Sequence, residues 1–125
     1  MSPTPRPPDC VPDHLDLLIG GETTPAADGA TFAVADPSTG ATLATVARAG
    51  AADLERAVTT ARAAFDSGVW ADVDATSRGR VLRRVAELIR ERIEEFAWAE
   101  VAGAGHTIED ARWEAGAMAE VFEYC

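Results

Sequence analysis

From Asp53 to Cys125 the apolar residues recur at helical spacing in three successive stripes, and this narrows what the chain can build more than any other feature. Leu54, Ala57, Val58, Ala61 and Phe65 form the first stripe, and Leu82, Val85, Leu88, Ile89, Ile93 and Phe96 the second. Ala111, Ala115, Met118, Phe122 and Cys125 form the third. Steps of three and four place each set along one face of a helix, with Glu55, Arg56 and Arg62 turned away on the first. The apolar residues therefore lie almost entirely on one-sided helices, and the part able to form strands is small.

The helix boundaries are marked by side-chain chemistry. Asp53 lies in the first turn of the first helix, where a carboxylate complements the helix dipole. The connection "DSGVWADVDATS" follows, with Trp70 expected to anchor it. Thr76 or Ser77 is expected to cap the second helix, which runs to Ala102 either unbroken or bent near Arg92. Gly103 and Gly105 are expected to end it. Thr107 with Asp110 three residues on has the form of a capping box and opens the last helix.

Ahead of these helices, "LDLLIGGE" (15–22) reads as a short strand stopped by Gly20 and Gly21. A second strand is expected over Thr31 to Ala35 and a returning one over Thr42 to Ala47. Between them "DPSTG" supplies turn chemistry: Asp36 at the first position, Pro37 presetting φ at the second, and Gly40 able to take positive φ. The first 14 residues carry five prolines and few apolar groups, so residues 1–14 are expected to form a disordered tail and 15–125 to fold.

Charge and cysteine usage exclude several classes of function. A formal charge of −10 disfavours nucleic acid and anionic membranes as main partners. Arg78, Arg80, Arg83, Arg84, Arg90 and Arg92 cluster, but Glu87, Glu91, Glu94 and Glu95 are interleaved among them, the pattern of a solvated helix face. Neither a secretory leader nor a membrane span is legible, so the cytosol is the expected compartment. Cys10 and Cys125 make no disulfide framework.

No catalytic constellation emerges from the residues alone. His14 and His106 are 92 positions apart and neither lies in a metal-ligand spacing. His106 reads as a loop side chain near a helix start, and Cys125 as a plain thiol with no base to activate it. Glu94, Glu95, Glu109 and Asp110 fall on helix ends or polar faces rather than in a desolvated pair. "IGGE" and "AGAGHT" match no phosphate-binding loop.

Taken together, the order of these features closely resembles the amino-terminal region of the aldehyde dehydrogenase superfamily, from about Leu17 to Tyr124. It runs from an I-x-G strand to "DPSTG", where that family favours NPATG or NPSTG. An A-V-x-x-A-R-x-A-F helix follows, then a Trp ahead of an R-x-x-x-L-R helix, and then an acidic stretch and a glycine. Thr23 stands where the family usually has Trp, and His106 and Thr107 stand in the Lys and Pro places of its D-T-G-K-P. "ARWEAGAMAEVFEY" looks like the family's next helix.

The resemblance implies an α/β fold in which this chain contributes a β-hairpin followed by three or four α-helices, packed on a parallel dinucleotide-binding sheet. It implies oxidation of an aldehyde with NAD or NADP: a Cys attacks the carbonyl, an Asn side chain and a backbone N–H hold the oxyanion, and a Glu activates water. Those residues are expected beyond Cys125, so the sequence reads as a domain stopped within its last helix, inactive and without cofactor by itself. The expected partner is the remainder of the enzyme or a paralogous chain, family members being homo-oligomers. A weak monovalent cation site is implied at the carbonyls of Val34 and Ala35 with the carboxylate of Glu114, oxygen ligands suited to a hard cation.

A second reading is a non-enzymatic helical module that docks on a partner through the stripe Met118, Phe122 and Cys125, which is still in register at the final residue. Under either reading the isolated chain is expected to be loosely packed or self-associating, because helices meant to cover a sheet lack it.

Overall fold

The computed structural model describes residues 11–125. Five short strands precede four helices: β1 His14–Leu15, β2 Leu17–Ile19, β3 Glu22–Thr24, β4 Thr31–Ala35, β5 Thr42–Ala47, α1 Ala51–Asp66, α2 Ala75–Glu91, α3 Ile93–Ala104 and α4 Ile108–Tyr124. A small strand set followed by helices is the arrangement expected from the sequence, with four helices where three or four were expected. The 15–22 stretch, expected as one strand, is instead divided among β1, β2 and β3, because Gly20 and Gly21 turn the chain back on itself. The expected tail lies outside the described residues up to residue 10; within them, strand pairing begins at His14, one residue inside the stretch assigned to it.

The strands form two small sheets. β2 and β3 pair antiparallel through Gly20 and Gly21, whose φ of 65° and 84° suit the two-residue turns that match strand twist. β4 and β5 pair antiparallel from Thr31↔Ala47 to Ala35↔Thr42, and β1 adds parallel to β5. At the "DPSTG" turn the Asp36 carboxylate accepts from the N–H groups of Ser38 (2.8 Å) and Thr39 (3.3 Å), while the Gly40 N–H donates to the Asp36 carbonyl. Gly40 at φ 72° completes the loop. One register shift, between Val34 and Ala35, interrupts the pairing next to the loop.

Asp53 ties the strand region to the helices. It is 2 % exposed, and its carboxylate accepts from the Gly50 N–H at 3.0 Å, the Ala27 N–H at 3.1 Å and Arg56 at 3.2 Å. The Gly50 bond satisfies an N–H that the first turn of α1 leaves without a helical partner. The Ala27 bond holds the 25–30 loop against the start of α1.

Helix boundaries differ from the sequence reading in two places. Asp74, not Thr76 or Ser77, caps α2: its backbone is extended (φ −63°, ψ 154°), so its carboxylate reaches the Ser77 N–H at 3.0 Å. The helix consequently starts before both expected caps. Gly103 lies inside α3, and only Gly105 ends it, at φ 77° with its N–H bonded to the Val101 carbonyl. Of the two alternatives for the second helix, the bend is the one found, with Arg92 at φ −118° and ψ 24° closing α2 and opening α3. Thr107 caps α4 as expected.

The core lies between α2 and α4 and between α3 and α4. Ala86, Ile89 and Ala119 are buried, with Val85, Met118 and Phe122 packed against them. Ala97, Ala102, Ala111 and Ala115 are buried along the same seams. Alanine at these positions lets the helix backbones approach closely, and Ile89 with the half-buried Met118 and Phe122 fills what remains. Met118 and Phe122, read from sequence as a free docking stripe, are thus partly covered by α2, while Cys125 is exposed.

Among the described residues the first helix has little such cover. Leu54, Val58 and Phe65 are exposed, Phe65 at 72 %, and Leu18 on β2 is exposed beside them. Trp70 is 48 % exposed. Expected to anchor its connection, it leaves about half of its surface in water. Among the described residues no helix is long and apolar enough to cross a membrane.

Candidate functional site

Among the described residues, the turn between α3 and α4 brings together three side chains able to act as ligands, Glu100, His106 and Glu114. Glu100 lies in the last turns of α3, Gly105 reverses the chain, His106 follows it, and Glu114 lies two turns into α4. His106 Nδ1 is 3.0 Å from Glu114 Oε2 and 3.6 Å from Glu100 Oε1. The side chains are 44 %, 41 % and 42 % exposed for Glu100, His106 and Glu114. Glu100 and Glu114 also border a shallow hollow of about 160 Å³ floored by Phe96, Ala111, Ala115 and Met118.

Local sequence explains this gathering. A left-handed glycine at the end of one helix and a Thr cap two residues later reverse the chain sharply, so the two helices run back alongside each other. The Thr107 hydroxyl donates to the Asp110 carboxylate at 2.8 Å, which engages that neighbouring acid in the cap. Sequence reading treated His106 as a loop residue and did not single out Glu100. The available signal was an acid near the end of one helix facing an acid near the start of the next across a glycine turn.

Glu114, assigned by resemblance to the monovalent cation site, is therefore hydrogen-bonded to an imidazole. Val34 and Ala35 lie at the end of β4, immediately before the "DPSTG" turn. That turn abuts the α3–α4 reversal: a methyl group built on Gly105 would lie 3.0 Å from Pro37 Cγ. The two parts of the expected set thus belong to neighbouring segments of the surface.

The other candidates are arranged as solvated or structural groups. His14 bonds to Thr45 Oγ1 and Asp16 Oδ1, each at 3.1 Å, at the start of the sheet. Within the arginine cluster, Arg84 pairs with Glu87 (3.0 Å) and Glu91 (3.2 Å), and Arg92 with Glu95 (2.6 Å), while Arg78 donates to the Val73 carbonyl. Arg112 on α4 makes a two-pronged bond to Glu94 on α3 (2.7 and 2.9 Å), and Arg90 reaches Glu123. The Arg112 bond holds the Glu94 carboxyl below its ordinary range. Such exposed pairs contribute little to stability singly; these two join α4 to α3 and to α2 at the surface.

Comparison with known proteins places this geometry. The family model described as "Aldehyde dehydrogenase family" matches residues 24–125. "Aldehyde dehydrogenase family 2 member B4, mitochondrial" of Arabidopsis thaliana is 46 % identical over 84 residues, which is 67 % of this chain and 16 % of that protein. Betaine aldehyde dehydrogenase of Bacillus subtilis is 34 % identical over 108 residues, 86 % of this chain and 22 % of that protein. The crystal structure of an NAD-dependent aldehyde dehydrogenase from Sinorhizobium meliloti superimposes with a TM-score of 0.88 at 33 % identity, over 99 % of this chain and 25 % of that one. Betaine aldehyde dehydrogenase from Staphylococcus aureus, in complex with NAD+, gives 0.85 at 32 % identity over 87 % of this chain and 22 % of that one.

Proposed function

The chain belongs to the aldehyde dehydrogenase family, and we propose that it serves as the amino-terminal segment of an NAD(P)-dependent enzyme that oxidises an aldehyde to a carboxylic acid. The observation that carries this is the superposition of nearly the whole chain on 25 % of the Sinorhizobium meliloti enzyme. The uncovered apolar face of α1 supports it, since a stripe of Leu54, Val58 and Phe65 is stable when another layer removes it from water.

In this reading the chain's own residues do structural work. The Asp53 carboxylate clamps the strand region to α1, and the alanine seams of α2, α3 and α4 form a preassembled unit on which the rest of the enzyme is laid. In this proposal the thiol that attacks the aldehyde, the oxyanion donors and the water-activating carboxylate are supplied by other segments of the enzyme. NAD or NADP supplies the hydride acceptor when bound. The carbonyls of Val34 and Ala35 with Glu114 would hold the structural cation in a complete enzyme, the oxygen donors that a hard ion requires.

The test is complementation. The Sinorhizobium meliloti enzyme lacking its matched segment is mixed with this chain, and aldehyde-dependent NADH formation is followed by absorbance. Activity that needs both chains supports the proposal, and activity of this chain alone overturns it. A second reading, a non-catalytic module docking on a complete family chain, is favoured by the exposure of the α1 face. Stable binding to the intact enzyme, with no restored activity in the truncated one, selects that reading.

A further inference from the structure

The Glu100, His106 and Glu114 side chains match the geometry of a transition-metal site. Zinc-type ions bind imidazole nitrogen and carboxylate oxygen at about 2.0–2.2 Å, so the edges of a tetrahedral shell are about 3.3–3.6 Å long. The two N···O separations from His106 are 3.0 and 3.6 Å. These bracket the required edge. All three donor atoms lie within 4.8 Å of one another, so the remaining edge closes by a small rotation of two half-exposed glutamates.

The donor chemistry selects the class of ion. An imidazole nitrogen suits zinc, cobalt, nickel and copper, whereas magnesium and calcium take oxygen ligands almost exclusively. Two carboxylates held this close repel each other, and a divalent ion offsets both charges at once. The donors come from α3, the reversal and α4, all fixed by the left-handed Gly105 and the Thr107 cap. We propose that Glu100, His106 and Glu114 bind one divalent transition-metal ion of the zinc type, with a fourth coordination position open to water. This set shares only Glu114 with the monovalent site implied by resemblance, and an imidazole ligand distinguishes it chemically.

The probe is Zn²⁺ alone, titrated calorimetrically into the 125-residue chain carrying Cys10→Ser and Cys125→Ser, which removes thiol binding. Co²⁺ absorption in the visible reports the coordination geometry. The expected result is one ion per chain, with affinity reduced at least ~10-fold by His106→Ala and by Glu114→Gln, the order of loss seen even when a ligand's supporting partner is removed. His14→Ala, which removes the other histidine, should leave the affinity unchanged. Far-UV ellipticity of each variant matching the parent shows that the helices persist. Absence of binding at millimolar Zn²⁺ overturns the proposal, as does affinity that survives His106→Ala or is lost with His14→Ala.

Discussion

Replacing Ile89 with Ala should cost about 3 kcal/mol of unfolding free energy, and the structure shows how that figure arises. Ile89 is 5 % exposed, wedged between Ala86 on its own helix and Ala119 on α4. The substitution removes three buried carbons, at about 0.8 kcal/mol each roughly 2.4 kcal/mol of transfer free energy. A rigid void of ~80 Å³ would add up to ~2 kcal/mol at about 24 cal/mol per Å³. Val85, Met118 and Phe122 are only partly buried around the site, and the unbranched Met118 can move into the space, so most of that penalty should relax. Urea denaturation followed by far-UV ellipticity gives the difference from the midpoint, provided the slope is unchanged. Val58→Ala is the control: Val58 is 59 % exposed on α1, and its loss should cost less than about 0.5 kcal/mol. A cost below about 1 kcal/mol for Ile89→Ala, or equal costs at the two sites, would refute the assignment of the core to the α2–α4 seam.

Two glycines of the α3–α4 reversal should respond with opposite sign. Gly105→Ala forces a side chain into φ 77° and against Pro37, and should cost at least ~1–2 kcal/mol; Gly103→Ala, inside α3 and facing open space, should gain about 0.5–1 kcal/mol. A gain at both positions, read from thermal melts, would exclude the left-handed cap. The Asp53 carboxyl is held below its ordinary 3.8 by the Gly50 N–H first, then by the Ala27 N–H and Arg56, against the opposing effect of burial. Its contribution is therefore present above the unfolded value and lost as pH falls through the lower folded one. Urea midpoints of Asp53→Asn should lie below those of the parent at pH 6, with the gap narrowing below about pH 3.8; a gap independent of pH would show that the ionised form has no special role. Finally, a dye that fluoresces on apolar surfaces should brighten with the parent chain and dim with Leu54→Ser, Val58→Ser and Phe65→Ser combined. An unchanged signal would place the exposed apolar surface elsewhere than α1.

Much of this organisation is dictated locally. The three-and-four spacing of Leu54 to Phe65, Leu82 to Phe96 and Ala111 to Phe122 marks these stretches as helical, because periodicity follows backbone pitch, but the second stripe runs in register across the break at Arg92 and does not show it. "DPSTG" fixes its turn through the Asp36 side chain and the positive φ of Gly40, interactions closed within five residues. Thr107 caps α4 in the same way. The start of α2 was less legible, because Asp74, Thr76 and Ser77 all carry capping oxygens, and the extended backbone at Asp74 decided among them.

Tertiary structure decided what no local signal carries. Equivalent stripes on α1 and α4 have different fates: Met118 and Phe122 pack against the α2–α4 core, while Leu54, Val58 and Phe65 stay largely exposed among the described residues. Periodicity shows that a helix has an apolar face; which element covers that face depends on how the connections turn. The pairing of Asp53 with Ala27 across 26 residues and the meeting of Glu100, His106 and Glu114 arise in the same way. Sequence by itself determined the helical stripes, the β4–β5 hairpin, the order of the elements and the family resemblance, but not the division of the 15–22 stretch into β1, β2 and β3 or the break between α2 and α3. Proximity between residues far apart in the chain depends on loop geometry and packing, and those only the folded structure supplies.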